Sequence, residues 1–486
     1  MKLGHKYYCN TKICYKYGNK MDKQHRLNVK AISKQLKKYY KEGKKVRIYH
    51  GSTNSTRTQK FQKTGIIDIS HLNKILTVNA EEKIALVEPN VPMDALVKET
   101  LKFNLLPPVV MEFPGITVGG GIQGGAGESS SFKWGGFHNC FLEYEVVLGN
   151  GTIVQATTKN NPDLFYGIPC TYGSLGIITM AKLKLIPTKQ FVKLTYYKVN
   201  SFTQALNLIG EMVNKKIDFI DGILFSKNLG VIMAGTLSDK DNLPGVTFRK
   251  ATDDWFYLHA EKIIKKHILY EELVPLEDYL FRFDRGGFWV GHYPFQKLNI
   301  PFNKITRFLI NPLMKTRVLY RFLQAINISQ HFLIQDIALP KNKALQFLKY
   351  VDKRTHIYPI WLCPLAPTRK EKFSPALLDT DLVIDVGVWG KITDNYNLSL
   401  KLNRKIENIT QKLGGRKVLY AHAYYPKGEF WKIYDFKSYD NLRIKYRAQK
   451  TFPDIYEKVR VKDKYKPSII KGLLDVISSP FKLPVS

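Results

Sequence analysis

The segment PGITVGGGIQGGAGESSSFKWGG, residues 114–136, constrains the fold of this chain more than any other part of its sequence. Glycine permits backbone conformations and close approaches that a side chain would forbid, so a run of glycines leaves amide groups open to a ligand. The segment contains G-x-G-x-x-G at Gly119, Gly121 and Gly124, a pattern that dinucleotide-binding folds use to hold phosphates. Because the pattern alone is weak, its flanking residues decide its function.

The flanking residues do not fit the two common phosphate-binding loops. A Rossmann site needs a strand before the glycines, a helix after them and an acidic residue about 20 positions on. Glu143 and Glu145 have that spacing, but Pro114 and Gly115 interrupt the approach, and GAGESSSFKWGG has no apolar stripe for a helix. A P-loop is excluded because no Lys-Ser or Lys-Thr follows the glycines. We expect an extended loop that binds phosphate oxygens or a carbonyl-rich ring; the alternative is a turn that packs against a strand.

Two further loops have a similar character. YHGSTNSTR, residues 49–57, follows a predicted strand and presents small hydroxyl side chains before Arg57. CTYGSLGIITMAKLKLIP, residues 170–187, places Gly173 and Gly176 before another predicted strand. Either loop alone also fits a surface turn. Three such loops favour one long ligand, such as a dinucleotide.

Short alternating segments separated by turns and helices predict an α+β fold. A helix is predicted in 27–43. Between Val46 and Pro187 we predict short strands, with hairpins at 75–89 and 141–157, and one helix at 93–104. A second block of strands and helices is predicted in 190–415, with strands at 191–199 and 382–390. A strand followed by a helix is predicted after residue 416. The expected divisions are 1–44, 45–190, 191–415, 416–461 and a tail, 462–486.

The formal net charge of +34 favours contact with a polyanion. Lys and Arg are dispersed along the chain, and no nucleic-acid-binding motif accompanies them, so we expect no nucleic-acid partner. Peripheral contact with an anionic membrane is the alternative, through the basic surface and the amphipathic segment IIKGLLDVISS, residues 469–479.

Cysteine usage and hydropathy predict where the protein resides. The five cysteines are scattered and odd in number, as in a reduced, intracellular protein. We see neither a signal peptide nor an apolar run of transmembrane length. The expected location is the cytoplasm or a membrane periphery.

The order of these motifs resembles the FAD-binding domain of the vanillyl-alcohol oxidase and p-cresol methylhydroxylase (PCMH-type) superfamily. Within it, the run from Thr117 to Gly135, with its ESSS motif, is similar to the Δ24-sterol reductases of the Diminuto type. The likeness continues through IYPIWLCPLAP, LVIDVGVWG and VLYAHAYYPKGEFWKIYD. It implies an FAD-binding domain at 45–190, an α+β cap domain at 191–415 and a segment at 416–461 that completes the structure near the flavin.

The resemblance also implies which residues hold FAD. The loop at 51–56 would hold the pyrophosphate, 117–129 would line the cofactor, and the loop after Gly173 would complete the site. Many superfamily members attach FAD covalently through a His in the first loop; Asn54 stands at that position here, so we predict non-covalent FAD. The predicted cofactor-binding residues are Gly51, Ser52, Thr53, Asn54, Ser55, Thr56, Thr117, Val118, Gly119, Gly120, Gly121, Ile122, Gln123, Gly124, Gly125, Ala126, Gly127, Glu128, Ser129, Gly173, Gly176 and Ile177. No metal is expected.

The chemistry implied is reduction of a carbon–carbon double bond of a sterol or other isoprenoid lipid, with NADPH or NADH as electron donor. His422 and Tyr424 are the predicted acid or base, although His422 replaces an acidic residue expected in the LYA-x-x-Y motif. Two alternatives remain open at this point: an FAD-dependent oxidase or dehydrogenase of a sugar, lactone or alcohol, and a basic binding protein on a degenerate flavin fold.

Overall fold

The computed structural model describes residues 8–9, 14–15, 20–51, 57, 65–326, 328–462 and 464–465. The segment 469–479 and the loop residues 52–56 lie outside these ranges. The strands are β1 (Tyr8–Cys9), β2 (Cys14–Tyr15), β3 (Arg47–Tyr49), β4 (Ile66–Asp68), β5 (Ile75–Asn79), β6 (Ile84–Val87), β7 (Leu105–Leu106), β8 (Phe141–Val147), β9 (Ile153–Thr157), β10 (Ile177–Lys184), β11 (Ile186–Pro187), β12 (Phe191–Val199), β13 (Phe219–Ser226), β14 (Leu229–Ser238), β15 (Leu269–Pro275), β16 (Phe332–Pro340), β17 (Ile360–Leu365), β18 (Val383–Lys391) and β19 (Arg416–Lys417).

The helices are distributed over both halves of the chain. They are α1 (Lys20–Lys41), α2 (Met93–Leu101), α3 (Val118–Gly124), α4 (Ser131–Trp134), α5 (Pro162–Gly167), α6 (Phe202–Met212), α7 (Phe256–Lys266), α8 (Leu276–Leu280), α9 (His292–Lys297), α10 (Lys304–Leu309), α11 (Thr316–Ala325), α12 (Lys341–Thr355), α13 (Tyr396–Lys412), α14 (Lys427–Ile433), α15 (Phe436–Lys445) and α16 (Ile455–Val459).

The first half is built around an antiparallel five-stranded sheet in the order β5-β6-β10-β8-β9, beside a parallel pair of β3 and β4. The predicted hairpins at 75–89 and 141–157 are present in it. The N-terminal helix α1 buries Val29, Ile32 and Leu36 in a small core together with Ile67 of β4 and Val147 of β8. The alternating apolar pattern therefore predicted this part well.

The second half is an antiparallel eight-stranded sheet in the order β15-β12-β14-β13-β17-β18-β16-β19. Successive residues of a strand point to opposite faces, so Leu362 and Val386 pack in one core with helices α6 and α12, whereas Cys363 and Leu365 pack in another with the first half. The sheet thus lies between a helical layer and the glycine-rich part of the chain. The predicted α+β fold with two domains is confirmed.

The expectation of an extended loop at the glycines was wrong, because residues 118–124 form helix α3. Thr117 caps it by accepting a hydrogen bond from the Gly120 amide (3.2 Å), and Gly125 ends it with a left-handed φ of 69°. Glycine has a poor intrinsic helix propensity. Close packing of α3 against its neighbours outweighs this poor propensity. A Cβ on Gly121 would lie 2.6 Å from Met111 Cε and 2.7 Å from Phe137 Cδ1.

The prediction of a strand that contains His422 and Tyr424 was also wrong. The strand after residue 416 is only two residues long, Arg416–Lys417, and it joins the edge of the eight-stranded sheet. Residues 418–426 are irregular, apart from one isolated bridge between Ala423 and Arg460. Within the described ranges, no helix has the length and hydrophobicity to cross a membrane.

Candidate functional site

Loops that are far apart in the sequence meet beside helix α3. The Gly173 amide donates to Gln123 Oε1 (2.9 Å), and the Cys170 amide donates to the Ile122 carbonyl (3.1 Å). Ile48 of β3, directly before the 50–57 loop, is 2.6 Å from the position that a Cβ on Gly173 would take. The structure therefore places strand β3, which precedes the 50–57 loop, and the loop around Gly173 beside helix α3.

Basic side chains converge on the same place. Lys458 Nζ donates to the Gly173 carbonyl (3.4 Å), and Arg57 donates to the Leu419 (2.5 Å) and Ala421 (2.8 Å) carbonyls. Burial and the positive charges of Arg47, Arg443 and Arg57 lower the pKa of Lys458 to about 7. Cations that repel one another in this way are stabilised by a bound anion.

One face of helix α3 offers bare backbone beside this basic cluster. A Cβ on Gly124 would meet nothing within 4 Å, and one on Gly120 would approach only Thr117 Oγ1 (3.1 Å) and Ile116 Cγ2 (3.9 Å). Gly120 is exposed and Gln123 and Gly124 are half-buried. This face can therefore lie directly against a ligand.

Other predicted cofactor-binding residues are used for packing. Val118, Gly121 and Ile122 are buried, and a Cβ on Gly119 would lie 2.9 Å from Pro89 Cβ. Gly176 lies against β8, where a Cβ would be 2.6 Å from Val146 Cγ1, and Ile177 is buried in β10. These residues pack within the domain, beneath the open face of α3 that Gly120, Gln123 and Gly124 form. Gly51 has a left-handed φ of 80°, while Ser52, Thr53, Asn54, Ser55 and Thr56 lie outside the described residues.

The ESSS segment joins the glycine helix to the cap sheet. The Ile220 amide of β13 donates to the Ser129 carbonyl (2.7 Å), and the Ala366 amide after β17 donates to the Ser131 carbonyl (2.9 Å). Gly127 allows this approach, since a Cβ there would lie 2.5 Å from Leu365 Cδ2. Glu128 is consequently enclosed between the two domains, with 8% of its surface exposed.

Glu128 belongs to a set of buried acidic residues at this junction, which we call the acidic chamber. Its other members are on the FAD-domain loop before α3 and on strands β13, β16 and β18, around one buried arginine. The acidic members are Glu112, Glu128, Asp221, Asp336 and Asp385, and the arginine is Arg282.

The strand register explains why these side chains meet. Asp385 of β18 pairs directly with Cys363 of β17, and Asp336 of β16 pairs with Gly387 of β18. On β13, Asp221 precedes Gly222, which pairs with Leu362 of β17. The carboxyl groups therefore share one face of the sheet. Gly387 makes room for this arrangement, because a Cβ there would lie 2.9 Å from Asp336 Oδ1.

Arg282 neutralises only part of the chamber. Its Nη2 donates to Glu112 Oε1 (2.9 Å) and to Asp221 Oδ2 (2.8 Å), and Asp221 also accepts from Trp361 Nε1 (3.2 Å). Among the described residues, one oxygen each of Glu112, Asp221, Asp336 and Asp385 has no hydrogen-bond partner. Such orphaned oxygens are costly when they are charged.

Burial raises the pKa values of four carboxyl groups of the chamber, those of Glu112, Glu128, Asp336 and Asp385. The pKa of Glu112 rises to about 8 and that of Asp336 to about 7, because desolvation outweighs the nearby positive charge or hydrogen bonds. Desolvation and neighbouring carboxylates raise the pKa values of Glu128 and Asp385 well above the ordinary range. The chamber thus stores protons at neutral pH and can act as an acid.

An apolar cleft adjoins the chamber. It is lined mainly by Val290, by Tyr320 and Leu323 of α11, and by Phe332 and Ile334 of β16. Ile334 and Asp336 are two residues apart on one strand and so point to the same face. The charge of Asp336 also affects the pKa of Tyr320. Asp336 therefore lies on the same sheet face as the cleft-lining residue Ile334.

His422 and Tyr424 lie elsewhere, next to the basic cluster. Burial, together with the positive charges of Arg57 and Lys417, lowers the pKa of His422 well below its ordinary value, so the imidazole is neutral. Burial raises the pKa of Tyr424, and its amide donates to Glu407 Oε1 (2.8 Å). A neutral imidazole at this position has no proton to give as an imidazolium ion, so its surroundings do not favour His422 as the acid.

Sequence reasoning missed most of the acidic chamber. Only Glu128 was singled out; Glu112, Asp221, Asp336 and Asp385 were passed over. The signal was a lone Asp inside an apolar strand, as in FIDGILF, FLIQDIALP and LVIDVGVWG. A charge at such a position is costly without a compensating role.

Comparison with known proteins shows which family this chain resembles. The FAD binding domain family matches residues 28–157. The Delta(24)-sterol reductase of Homo sapiens is 31% identical over 471 residues, which cover 93% of this chain and 89% of that protein. That of Arabidopsis thaliana is 31% identical over 491 residues, covering 90% and 85%. Cytokinin dehydrogenase 8 of Oryza sativa subsp. indica is 32% identical over only 26% of this chain.

Proposed function

We propose that this chain, which belongs to the Delta(24)-sterol reductase family, reduces an isolated carbon–carbon double bond of a sterol or related isoprenoid lipid. We infer NADPH or NADH as the electron donor. The chain is an FAD-binding oxidoreductase. The observation that supports the finer proposal is a cluster of buried carboxyl groups with raised pKa values, Glu112, Glu128, Asp336 and Asp385, at the junction of the two domains.

The residues present fit a dinucleotide cofactor. The basic cluster of Arg47, Arg57 and Lys458 would hold the diphosphate, together with the 51–56 loop, and the bare face of α3 would lie along the cofactor. When bound, FAD supplies the hydride for the reduction. With Asn54 at the position where relatives of this superfamily carry the linking His, we propose that FAD binds non-covalently.

The chemistry of the proposed substrate requires the protein to supply a proton. A trisubstituted, unconjugated alkene is electron-rich, so hydride alone does not attack it, and an acid must protonate its less substituted carbon. Asp336 is our proposed acid, because it combines an elevated pKa, a free carboxyl oxygen and a position beside the apolar cleft. The Tyr420 hydroxyl donates to its carboxyl group and orients it. We favour Asp336 over the predicted His422, because burial and the positive charges of Arg57 and Lys417 keep the His422 imidazole neutral.

The alternative oxidase chemistry requires the opposite proton balance. Oxidation of an alcohol needs a base that accepts the hydroxyl proton. Burial raises the pKa values of Glu128 and Asp385 well above the ordinary range, which favours their protonated, proton-donating form. The acidic chamber therefore favours reduction over oxidation.

The two half-reactions test this function. The purified protein is loaded with FAD and titrated anaerobically with NADPH or NADH, and the flavin absorbance near 450 nm is followed; about 450 nm is the usual flavin maximum. We expect the nicotinamide to bleach the flavin and a Δ24-unsaturated sterol to restore the colour without oxygen. Bleaching by an alcohol or sugar, with recolouring only by air, would support the oxidase instead.

A further inference from the structure

Helix α10 presents its apolar side outward. Ile305, Phe308 and Leu309 occupy positions i, i+3 and i+4, which form one helix face, and they are 71%, 48% and 67% exposed. Arg307 is instead buried: its Nη2 donates to Asp254 Oδ1 (3.1 Å), and its guanidinium lies over the Phe302 ring. An ordinary surface helix buries its apolar face and exposes its charge. The inverted arrangement fixes α10 with its apolar face directed away from the protein.

The exposed apolar surface extends beyond α10. Leu298 before the helix is 63% exposed, and Leu313 after it is 56% exposed. Contiguous exposed apolar side chains mark contact sites for proteins, ligands or membranes. We call residues 298–313 the apolar patch.

The charge around the patch indicates which of these three kinds of partner fits it. Every charged residue between Asp284 and Asp336 is Lys or Arg. Lys297, Lys304 and Lys315 are exposed beside the apolar side chains. Apolar side chains rimmed by lysines match a bilayer that contains anionic lipids, since the apolar groups enter the interface and the ammonium groups meet the headgroups.

A second copy of the chain fits the patch poorly. Two-fold pairing would place the same lysines opposite one another, and the whole chain has a net charge of +34. Helix α11, which supplies Tyr320 and Leu323 to the cleft wall, begins three residues after Leu313, so the patch directly precedes this part of the cleft wall in the sequence.

We propose that the apolar patch docks the protein onto the surface of an anionic bilayer, with α10 lying in the interface. This inference depends on exposure and charge, and it holds whatever reaction the protein catalyses. It places the attachment in the cap domain, separate from the amphipathic segment at 469–479.

Vesicle co-sedimentation tests the proposal. The full chain is mixed with vesicles of phosphatidylcholine containing phosphatidylserine, and the variant Ile305→Ser/Phe308→Ser/Leu309→Ser is compared with the wild type. A matched control, Leu398→Ser/Phe436→Ser/Ile444→Ser, removes three side chains of similar exposure, 56%, 46% and 49%. We expect at least tenfold weaker binding of the patch variant and unchanged binding of the control.

Unchanged vesicle binding by the patch variant would overturn the proposal, as would failure of the wild type to bind. A change in self-association without a change in lipid binding would assign the patch to a second copy. If the patch variant does not fold, as judged by circular dichroism, Lys297→Glu/Lys304→Glu/Lys315→Glu replaces it. That variant should lose binding to anionic vesicles; retention would contradict the proposal.

Discussion

At the scale of single residues, Asp336 and Lys458 have unusual protonation for opposite reasons. Asp336 is buried among carboxyl groups, and desolvation raises its pKa. Lys458 is surrounded by guanidinium groups that, with burial, lower its pKa. Each holds the charge state opposite to that of its free side chain over part of the neutral range. The first would supply a proton to the substrate, and the second would gain one when an anionic cofactor binds.

We predict that Asp336→Asn slows sterol-dependent reoxidation of the reduced flavin by about 100-fold or more, the usual contribution of a general acid. Reduction of the flavin by NADPH or NADH should be unchanged. In the wild type, the sterol-dependent rate should fall as the pH rises through about 7, because Asp336 then loses its proton. Stopped-flow absorbance measures both steps. Asp381→Asn, at an exposed residue just before β18, is the control; equal loss in both half-reactions would reject Asp336 as the acid.

Replacing Lys458 should weaken FAD binding. A charge-assisted hydrogen bond contributes about 1.5–3 kcal/mol, so we predict about 10- to 100-fold lower affinity for Lys458→Gln. Affinity for the wild type should also decrease above pH 7, where free Lys458 is neutral. Quenching of FAD fluorescence measures both, with the exposed Lys437→Gln as control. An unchanged affinity for Lys458→Gln places the diphosphate elsewhere.

At the scale of elements, α3 has a packed face and an open face, and glycine has a different function on each. Gly121→Ala would force a Cβ against Met111 and Phe137, so we predict destabilisation of roughly 1–3 kcal/mol. Gly124→Ala meets no neighbour and should stabilise the helix by up to about 1 kcal/mol, yet weaken FAD binding. Thermal unfolding without FAD and an FAD titration separate the two effects. Equal effects of both substitutions would contradict the two-face description.

Helix α1 is held to the five-stranded sheet by a buried histidine. His25 lies 2.7 Å from Glu88 Oε1 and 3.0 Å from Glu145 Oε1. Burial alone would lower the pKa of His25, but hydrogen bonds to these carboxylates raise it to about 9. The resulting stabilisation is fully present below the unfolded value of about 6.5 and is lost as the pH rises through 9.

We therefore predict that protection of the α1 amides against hydrogen exchange, corrected for the intrinsic rate, falls between pH 6.5 and 9. The loss should be at most about 3 kcal/mol. His25→Gln should remove this pH dependence, whereas the exposed His71→Gln should keep it. A wild-type profile as flat as that of His25→Gln would show that His25 does not hold α1 through its charge.

At the scale of the whole molecule, the sequence predicted the elements more accurately than the site between them. Strands such as β8 and β12 and the helix at 93–104 were found from their patterns because local periodicity determines them. Helix α3 was missed because its stability comes from tertiary contacts of Gly121. The acidic chamber was missed because it forms only when β13, β16, β18 and the ESSS segment meet, and no local pattern encodes that meeting.

The division into two domains is also what gives the site its chemistry. The glycine loops, Arg47 and Arg57 lie on the first domain, and Lys458 of the C-terminal segment lies beside them. Most of the carboxyl groups lie on the cap sheet. Glu128 connects the two domains, since the Ser129 and Ser131 carbonyls of its segment accept hydrogen bonds from the cap domain. We propose that the carboxyl groups at this junction protonate an alkene, to which FAD, when bound, would supply a hydride.

The origin of the proton that is added to the alkene tests this proposal. The FAD-loaded protein is reduced anaerobically in D₂O and given a sterol with an isolated, trisubstituted side-chain double bond, and the product is analysed by mass spectrometry and NMR. We predict a saturated product with deuterium on the less substituted carbon of the former double bond, formed by the wild type and strongly reduced in Asp336→Asn. Recovery of unchanged sterol with the flavin still reduced, or a saturated product without deuterium at that carbon, would contradict the account.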